Sequence, residues 1–163
     1  MTIFLGADHG GYALKEIIKT ALTAWGYAWE DEGNTVLDPS DDYPLYALAV
    51  AKKVARDLQN GKNAKGILVC RTAAGMAIVA NKVKGIRAAA PHDIQSAILS
   101  REHNDANILV LAGDFLGEKE ALEMLKAWLT SECTGEERHI RRLEQIRRFE
   151  RHSVEVIPGI GMP

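Results

Sequence analysis

The most constraining feature of this chain is a regular alternation of short apolar runs with segments of helical periodicity. Thr2-Ile3-Phe4-Leu5-Gly6-Ala7 is nearly continuous in apolar residues. Directly after it, Leu14, Ile17, Ile18, Ala21, Leu22 and Trp25 share one helical face, and Gly26 supplies a stop. Residues 27–29 predict a second strand. The stretch 31–42 is polar, with Gly33 and Pro39, and predicts a loop. Pro44 opens a helix carrying Leu45, Leu48, Ala49, Ala55 and Leu58, which stops near Gly61. Strands are then expected at 66–70, 85–90 and 106–112, with helices at 75–83, 92–103, 118–129 and 136–150. Strands that are apolar throughout are covered on both faces. The pattern therefore predicts an α/β fold, a three-layer α/β/α sandwich with a Rossmann-like five-stranded parallel sheet.

With 163 residues, the chain suits one domain with one sizeable core, taken as 1–152. Residues 153–163 form a separate C-terminal arm. Its sequence from Val154, V-E-V-I-P-G-I-G-M-P, is apolar but holds two Pro and two Gly, and reads as a docked arm or a partner-binding strand. A formal net charge of -2 gives no general attraction to nucleic acid or anionic membrane, so any anion site has to be built locally. Two cysteines, Cys70 and Cys133, are too few for a disulfide framework and suit a reducing compartment. The start M-T-I-F-L-G-A-D-H lacks a basic leader, and no stretch approaches the roughly 18 apolar residues of a membrane helix. A cytoplasmic protein is expected.

Ligands of such folds bind beyond the C-terminal ends of the strands. That singles out Asp8-His9-Gly10-Gly11, the segment 70–75, His92-Asp93 and Gly113-Asp114. Asp8 either caps the following helix or faces a ligand. Cys70 is either a small core hydrophobe or a thiol whose anion is favoured by the helix after it. Thr72 suits a helix cap or a hydrogen bond to a substrate oxygen, and Gly75 suits close approach or close packing. His103 and Asn104 read as a helix C-cap pair, or as groups that reach a sugar oxygen. Arg138, Arg141 and Arg142 share one side of the last helix, either solvated or binding an anion. No His or Cys pair has metal-ligand spacing, so no metal is expected, and the lack of a P-loop or dinucleotide motif gives a nucleotide-binding role little support.

Several segments together resemble a known family. These are G-A-D-H-G-G-Y-A-L-K near the start, D-Y-P at 42–44, the strand-ending Cys70, A-N-K-V-K-G-I-R-A, S-R-E-H-N-D-A-N-I-L and R-H-x-x-R from Arg138. In order and spacing over residues 2–150 they resemble type B ribose-5-phosphate isomerase, whose family includes galactose-6-phosphate and allose-6-phosphate isomerases. The resemblance implies an aldose–ketose isomerase that works through a cis-enediolate without metal or cofactor. It implies Cys70 as the base, assisted by Thr72, with backbone N–H groups of 71–75 facing the enediolate oxygen. Asp8 and His103 would handle ring opening and sugar hydroxyls, and Tyr43 and Asn104 would neighbour them. His9, Arg138, His139 and Arg142 would hold the phosphate end. The resemblance also implies a homodimer or homotetramer whose sites combine residues from two subunits.

Two departures concern the same pocket. The loop usually reads C-G-T-G-x-G, and here it is Cys70-Arg71-Thr72-Ala73-Ala74-Gly75. Where the family leads its fifth strand into an arginine, this chain has Ala112-Gly113-Asp114. Arg71 is therefore an added candidate for binding an anion or tuning Cys70. Ribose 5-phosphate is the leading substrate. The alternatives are the same chemistry on a hexose phosphate or unphosphorylated sugar, and a non-catalytic sugar-phosphate binder.

Overall fold

The computed structural model describes residues 1–151. The arm expected at 153–163 lies outside the described residues. Five strands, β1 (Thr2–Ala7), β2 (Ala28–Asp31), β3 (Ala64–Cys70), β4 (Ala88–Ala89) and β5 (Ile108–Ala112), form one sheet in the order β2-β1-β3-β5-β4. Every pairing is parallel, as apolar strands joined by helices require. The helices are α1 (Tyr12–Ala24), α2 (Tyr43–Gln59), α3 (Ala74–Ala80), α4 (Ile94–Asn104), α5 (Glu118–Thr130) and α6 (Glu137–Arg151).

The two sheet faces carry separate cores. Leu14, Ile18 and Leu22 of α1, Ala97 of α4, and Met124, Leu125 and Trp128 of α5 cover one face. Val50, Ala51 and Val54 of α2 with Met76 and Ala80 of α3 cover the other. This division follows from right-handed crossovers, which place helices on opposite faces when the chain moves in opposite directions across the sheet. From β1 the chain moves outward to β2 through α1. From β3 it moves the other way through α3. Neighbouring strands β1 and β3 thus send their helices to opposite faces, and a crevice opens between their C-terminal ends.

Two elements are shorter than the sequence predicts, for a shared reason. The strand expected at 85–90 is reduced to Ala88–Ala89. The Asn107 side chain accepts from Arg87 N–H (2.8 Å) and donates to the Gly85 carbonyl (2.7 Å), taking over part of the ladder. The helix expected at 75–83 ends at Ala80, where Asn81 donates to Ala77 and Ala88 carbonyls and accepts from Ala88 N–H, each at 2.9 Å. Asn side chains compete well with regular backbone pairing at such ends.

Two buried lysines tie the layers together. Lys15 on α1 is fully buried, and its ammonium contacts Asp31 of β2, Glu16 (3.0 Å) and the Asn34 carbonyl (2.9 Å). Lys65 at the start of β3 is 8% exposed. Its ammonium lies 5.0 Å from the Trp128 ring centre and makes a long 3.4 Å hydrogen bond to the Leu129 carbonyl. Burial, aided by the Arg101 charge, lowers its pKa to about 8. No helix among the described residues is long and apolar enough to cross a membrane.

Candidate active site

Cys70 is the last residue of β3 and is buried at the crevice. The chain then turns through Arg71-Thr72-Ala73 into α3. Ala73 takes φ 64°, ψ −31°, a conformation that an L-residue with a Cβ resists. The turn brings the N–H groups of Met76, Thr72 and Ala73 to the sulfur. Burial nevertheless dominates, and with the Asp8 charge it holds the thiol above its ordinary pKa. Cys70 is therefore a neutral thiol at rest.

Asp8 follows β1 and is 6% exposed. Its carboxylate accepts from Gly11 N–H at 3.0 Å, which orients it before α1 begins. Burial raises its pKa. Tyr43, the first residue of α2, lays its ring across Gly75, where an added Cβ would come within 2.7 Å of the ring. Glycine at 75 is thus a close-approach requirement. Gly10 plays the same part for Arg71, whose Cγ would lie 2.2 Å from a Cβ there. Thr72 is exposed and, with Ala73, Ala74, Pro91, His92 and Phe115, lines a cavity of about 480 Å³.

His9 and Arg71, basic side chains at this end, are each held by an acid. His9 Nδ1 lies 2.7 Å from Asp41 Oδ1, which also accepts the His9 backbone N–H at 3.1 Å. That hydrogen bond is the main cause of a raised His9 pKa. Arg71 Nε donates to Asp114 Oδ2 at 2.9 Å. The negative charge at 114, which looks hostile to a bound anion in the sequence, is compensated by a cation 43 positions earlier.

The remaining candidates lie at the other end of the sheet. Helix α4 runs antiparallel to the strands, so His103 and Asn104 come just before β5 starts. Ile108 pairs with Gly66 and Ala112 with Cys70, so at least about 13 Å of strand separates the two ends. His103 and His139 stack with ring centres 4.3 Å apart. His139 is 2% exposed, and its Nδ1 lies 3.1 Å from Thr134 Oγ1. Burial and the neighbouring His103 lower its pKa, so it stands behind His103 as a neutral ring. Arg138 pairs with Glu136 at 2.8 Å, and Arg142 is exposed on the same helix. Asn104 is exposed; it closes α4, and Asp105, at φ 45°, is the cap.

One chain thus brings Asp8, His9, Tyr43, Cys70, Arg71, Thr72 and Gly75 together. It gathers His103, Asn104, Arg138, His139 and Arg142 elsewhere. The sequence reading missed Asp41 and Asn34, which sit in a stretch that looks like an ordinary polar loop. Asp41 directly precedes the D-Y-P motif, and that adjacency was the available signal. A second cavity of about 450 Å³, between α6 and β4, lies away from the thiol and is lined by Asn81, Arg87, Ile146 and Phe149. Among the described residues no group of three or more His, Cys, Asp or Glu is arranged to hold a metal ion.

A parallel α/β domain with a thiol, a carboxylate and oriented N–H groups at its crossover crevice has the groups to bind and act on a small molecule. The chain belongs to the family described as Ribose/Galactose Isomerase, whose profile matches residues 3–146. By class it is an aldose–ketose isomerase. It is 36% identical to ribose-5-phosphate isomerase B of Mycobacterium tuberculosis over 160 residues, 98% of this chain and 96% of the relative. The structure of Clostridium thermocellum ribose-5-phosphate isomerase B superposes with a TM-score of 0.87 at 41% identity, covering 94% of this chain and 99% of that one. The Mycoplasma genitalium enzyme, solved with bound ribulose-5-phosphate, also gives a TM-score of 0.87, at 37% identity over 92% of this chain and 96% of its own.

Proposed function

We propose that the protein interconverts ribose 5-phosphate and ribulose 5-phosphate, with Cys70 as the base. The observation that carries this reading is the buried sulfur at the end of β3, surrounded by N–H groups and set beside Asp8. The relatives named ribose-5-phosphate isomerase B, and the structure holding ribulose-5-phosphate, support the substrate.

The resting thiol first loses its proton to solvent; the minor thiolate form then takes the C2 proton of the open-chain aldose, and the electrons pass to the carbonyl oxygen to give a cis-enediolate. Proton transfer between O2 and O1, followed by return of the sulfur-borne proton to C1, gives the ketose. A sugar C–H is a very weak acid, so fixed donors are needed for the oxyanion. Ala74 and Gly75 open α3, and helix N-terminal N–H groups have no partner within their helix. Those two are suited to the enediolate, while the N–H groups of Thr72, Ala73 and Met76 serve the sulfur. Asp8 handles hydroxyl protons, with Thr72 and Tyr43 beside it, and His9 and Arg71 attract the phosphate.

The split between the two ends supports a homo-oligomer. His103, with His139 behind it, would open the sugar ring in a site whose thiol comes from a second copy. Asn104, Arg138 and Arg142 would enter with them. The Arg71–Asp114 pair favours a phosphate over an unphosphorylated sugar, because it removes the uncompensated acid. The test is NMR in heavy water with ribose 5-phosphate. Deuterium at C2 with formation of ribulose 5-phosphate is expected, and Cys70→Ala should abolish both. Retained exchange in Cys70→Ala would dismiss the thiol as the base. Exchange only on another sugar in a panel of aldoses and their phosphates would replace the substrate.

A further inference from the structure

We propose that Asp41 is a positioning residue that fixes the orientation and charge of His9, so that an imidazolium faces the anionic end of the substrate. This rests on the function proposed above. Asp41 Oδ1 meets both the His9 backbone N–H and Nδ1, at 3.1 and 2.7 Å. Its other oxygen accepts from Asn34 Nδ2 at 2.6 Å. The Asp41 side chain is only 3% exposed and also meets the Tyr46 hydroxyl of α2, so this carboxylate is spent on buried partners, His9 and Asn34 foremost, and is not a solvated loop acid.

The support continues inward. The Asn34 carbonyl accepts from the fully buried Lys15, and the next residue, Thr35, accepts from Tyr12 on α1 at 3.1 Å. Gly33 packs so closely that a Cβ there would lie 2.8 Å from the Ala7 nitrogen. The 33–35 segment is therefore fastened to β1 and α1, and Asp41 is fastened to it. A carboxylate on Nδ1 selects the tautomer with its proton there and leaves Nε2 to the ligand. The other charged groups facing His9 are Asp8 just after β1, Arg71 just after β3 and Asp38 from the same loop as Asp41. Asp8 and Asp38 favour the cation, and Arg71 opposes it.

The chemistry explains why such a hold is useful. A phosphate monoester becomes a dianion near pH 6, and an ordinary histidine loses its charge near 6.5. Without help, cation and dianion coexist only in a narrow interval. The hydrogen bond from Asp41 raises the histidine's titration and so widens that interval upward.

The experiment is Asp41→Asn in the full-length protein, with Asn34→Ala as a milder variant should the first not fold. His9 is followed by NMR, its signal assigned by loss in His9→Gln, and ribose 5-phosphate kinetics are measured from pH 5.5 to 8.5. Expected is a fall in the His9 pKa, with kcat/KM reduced on the order of tenfold at pH 8 through KM and less than about twofold at pH 5.5. A His9 titration unmoved by the substitution overturns the proposal. So does a loss of the same size at every pH, which would mark a scaffold role only. If the unmodified protein turns over no sugar phosphate, the function proposed above fails. The His9 titration, with and without inorganic phosphate, then decides the question of Asp41 by the same two signs.

Discussion

Replacing Lys65 by Met is expected to stabilise the protein at neutral pH, and the size of the effect follows from the buried ammonium. Lys65 is 8% exposed, and its one hydrogen bond is 3.4 Å long. Its pKa falls from 10.5 to about 8 in the fold. At 1.36 kcal/mol per unit, that corresponds to an upper bound of about 3 kcal/mol against folding at pH 7. Met keeps the apolar stem against Trp128 and brings no charge, although it gives up the cation–π contact. A net gain of about 1–3 kcal/mol follows, which for a chain of this size raises Tm by roughly 2–10 °C. The sign with pH is fixed. Between about 8 and 10.5 the unfolded chain binds more protons than the folded one, so the wild-type protein gains stability across that interval. Lys65→Met lacks this gain, and the two should converge above pH 10.5. The Cys70 thiol pulls the other way at high pH but is common to both proteins, so it cancels in the difference. Urea unfolding followed by tryptophan fluorescence, at equal protein concentration from pH 7 to 10.5, measures this directly. A destabilised Lys65→Met, or a difference between the proteins that ignores pH, would refute the reasoning.

The thiol's raised pKa predicts that log kcat, measured at saturating sugar phosphate so that the His9 titration stays in KM, climbs by about one per pH unit from neutrality past pH 8.5, and a plateau at pH 7 would contradict it. Mixing Cys70→Ala with His103→Ala protein, each inactive alone, should restore about a quarter of wild-type activity in a randomly assembled dimer, because half the pairs regain one intact site. No recovery after verified subunit exchange would place a complete site in each chain. Asp114→Asn should leave Arg71 uncompensated beside the anion site and lower KM for ribose 5-phosphate a few-fold. The gain should shrink as salt rises, since both side chains are substantially exposed at 64% and 36%, and an unchanged or raised KM would speak against a charge role.

The sheet and its layers were legible because they rest on local periodicity. The strand-ending positions Asp8 and Cys70 followed from that pattern. What stayed hidden depends on partners distant in sequence. The Arg71–Asp114 pair spans 43 positions, so each residue taken alone looks like a defect in an anion pocket. Asp41 lies in a polar stretch whose composition says only that it is a loop, and its link to His9 spans 32 positions. His103 and the arginines of α6 were recognisable by motif, and the expected helix ending just before a parallel strand already implied that His103 lies at the end opposite Cys70; motif matching, which ranks residues by type and spacing, does not register that separation. The shortened β4 was lost to Asn107, a side chain standing in for backbone, which apolar periodicity does not register.

The sheet's margins also bear on how the chain behaves when crowded. An open parallel sheet ends in strands with unpaired backbone groups, ready templates for another chain. Here β4 exposes only two residues, and Glu150 of α6 reaches back to Gly85 N–H at 3.2 Å. At the opposite margin β2 has four residues, and its acids Glu30 and Asp31 are paired with Lys53 and Lys19 at 2.9 and 3.0 Å. A β-sheet bounded by a stub on one side and a short charged strand on the other offers little to edge-to-edge aggregation. Association is left to the helical faces, where the self-assembly proposed above would avoid the edge that invites fibrous growth.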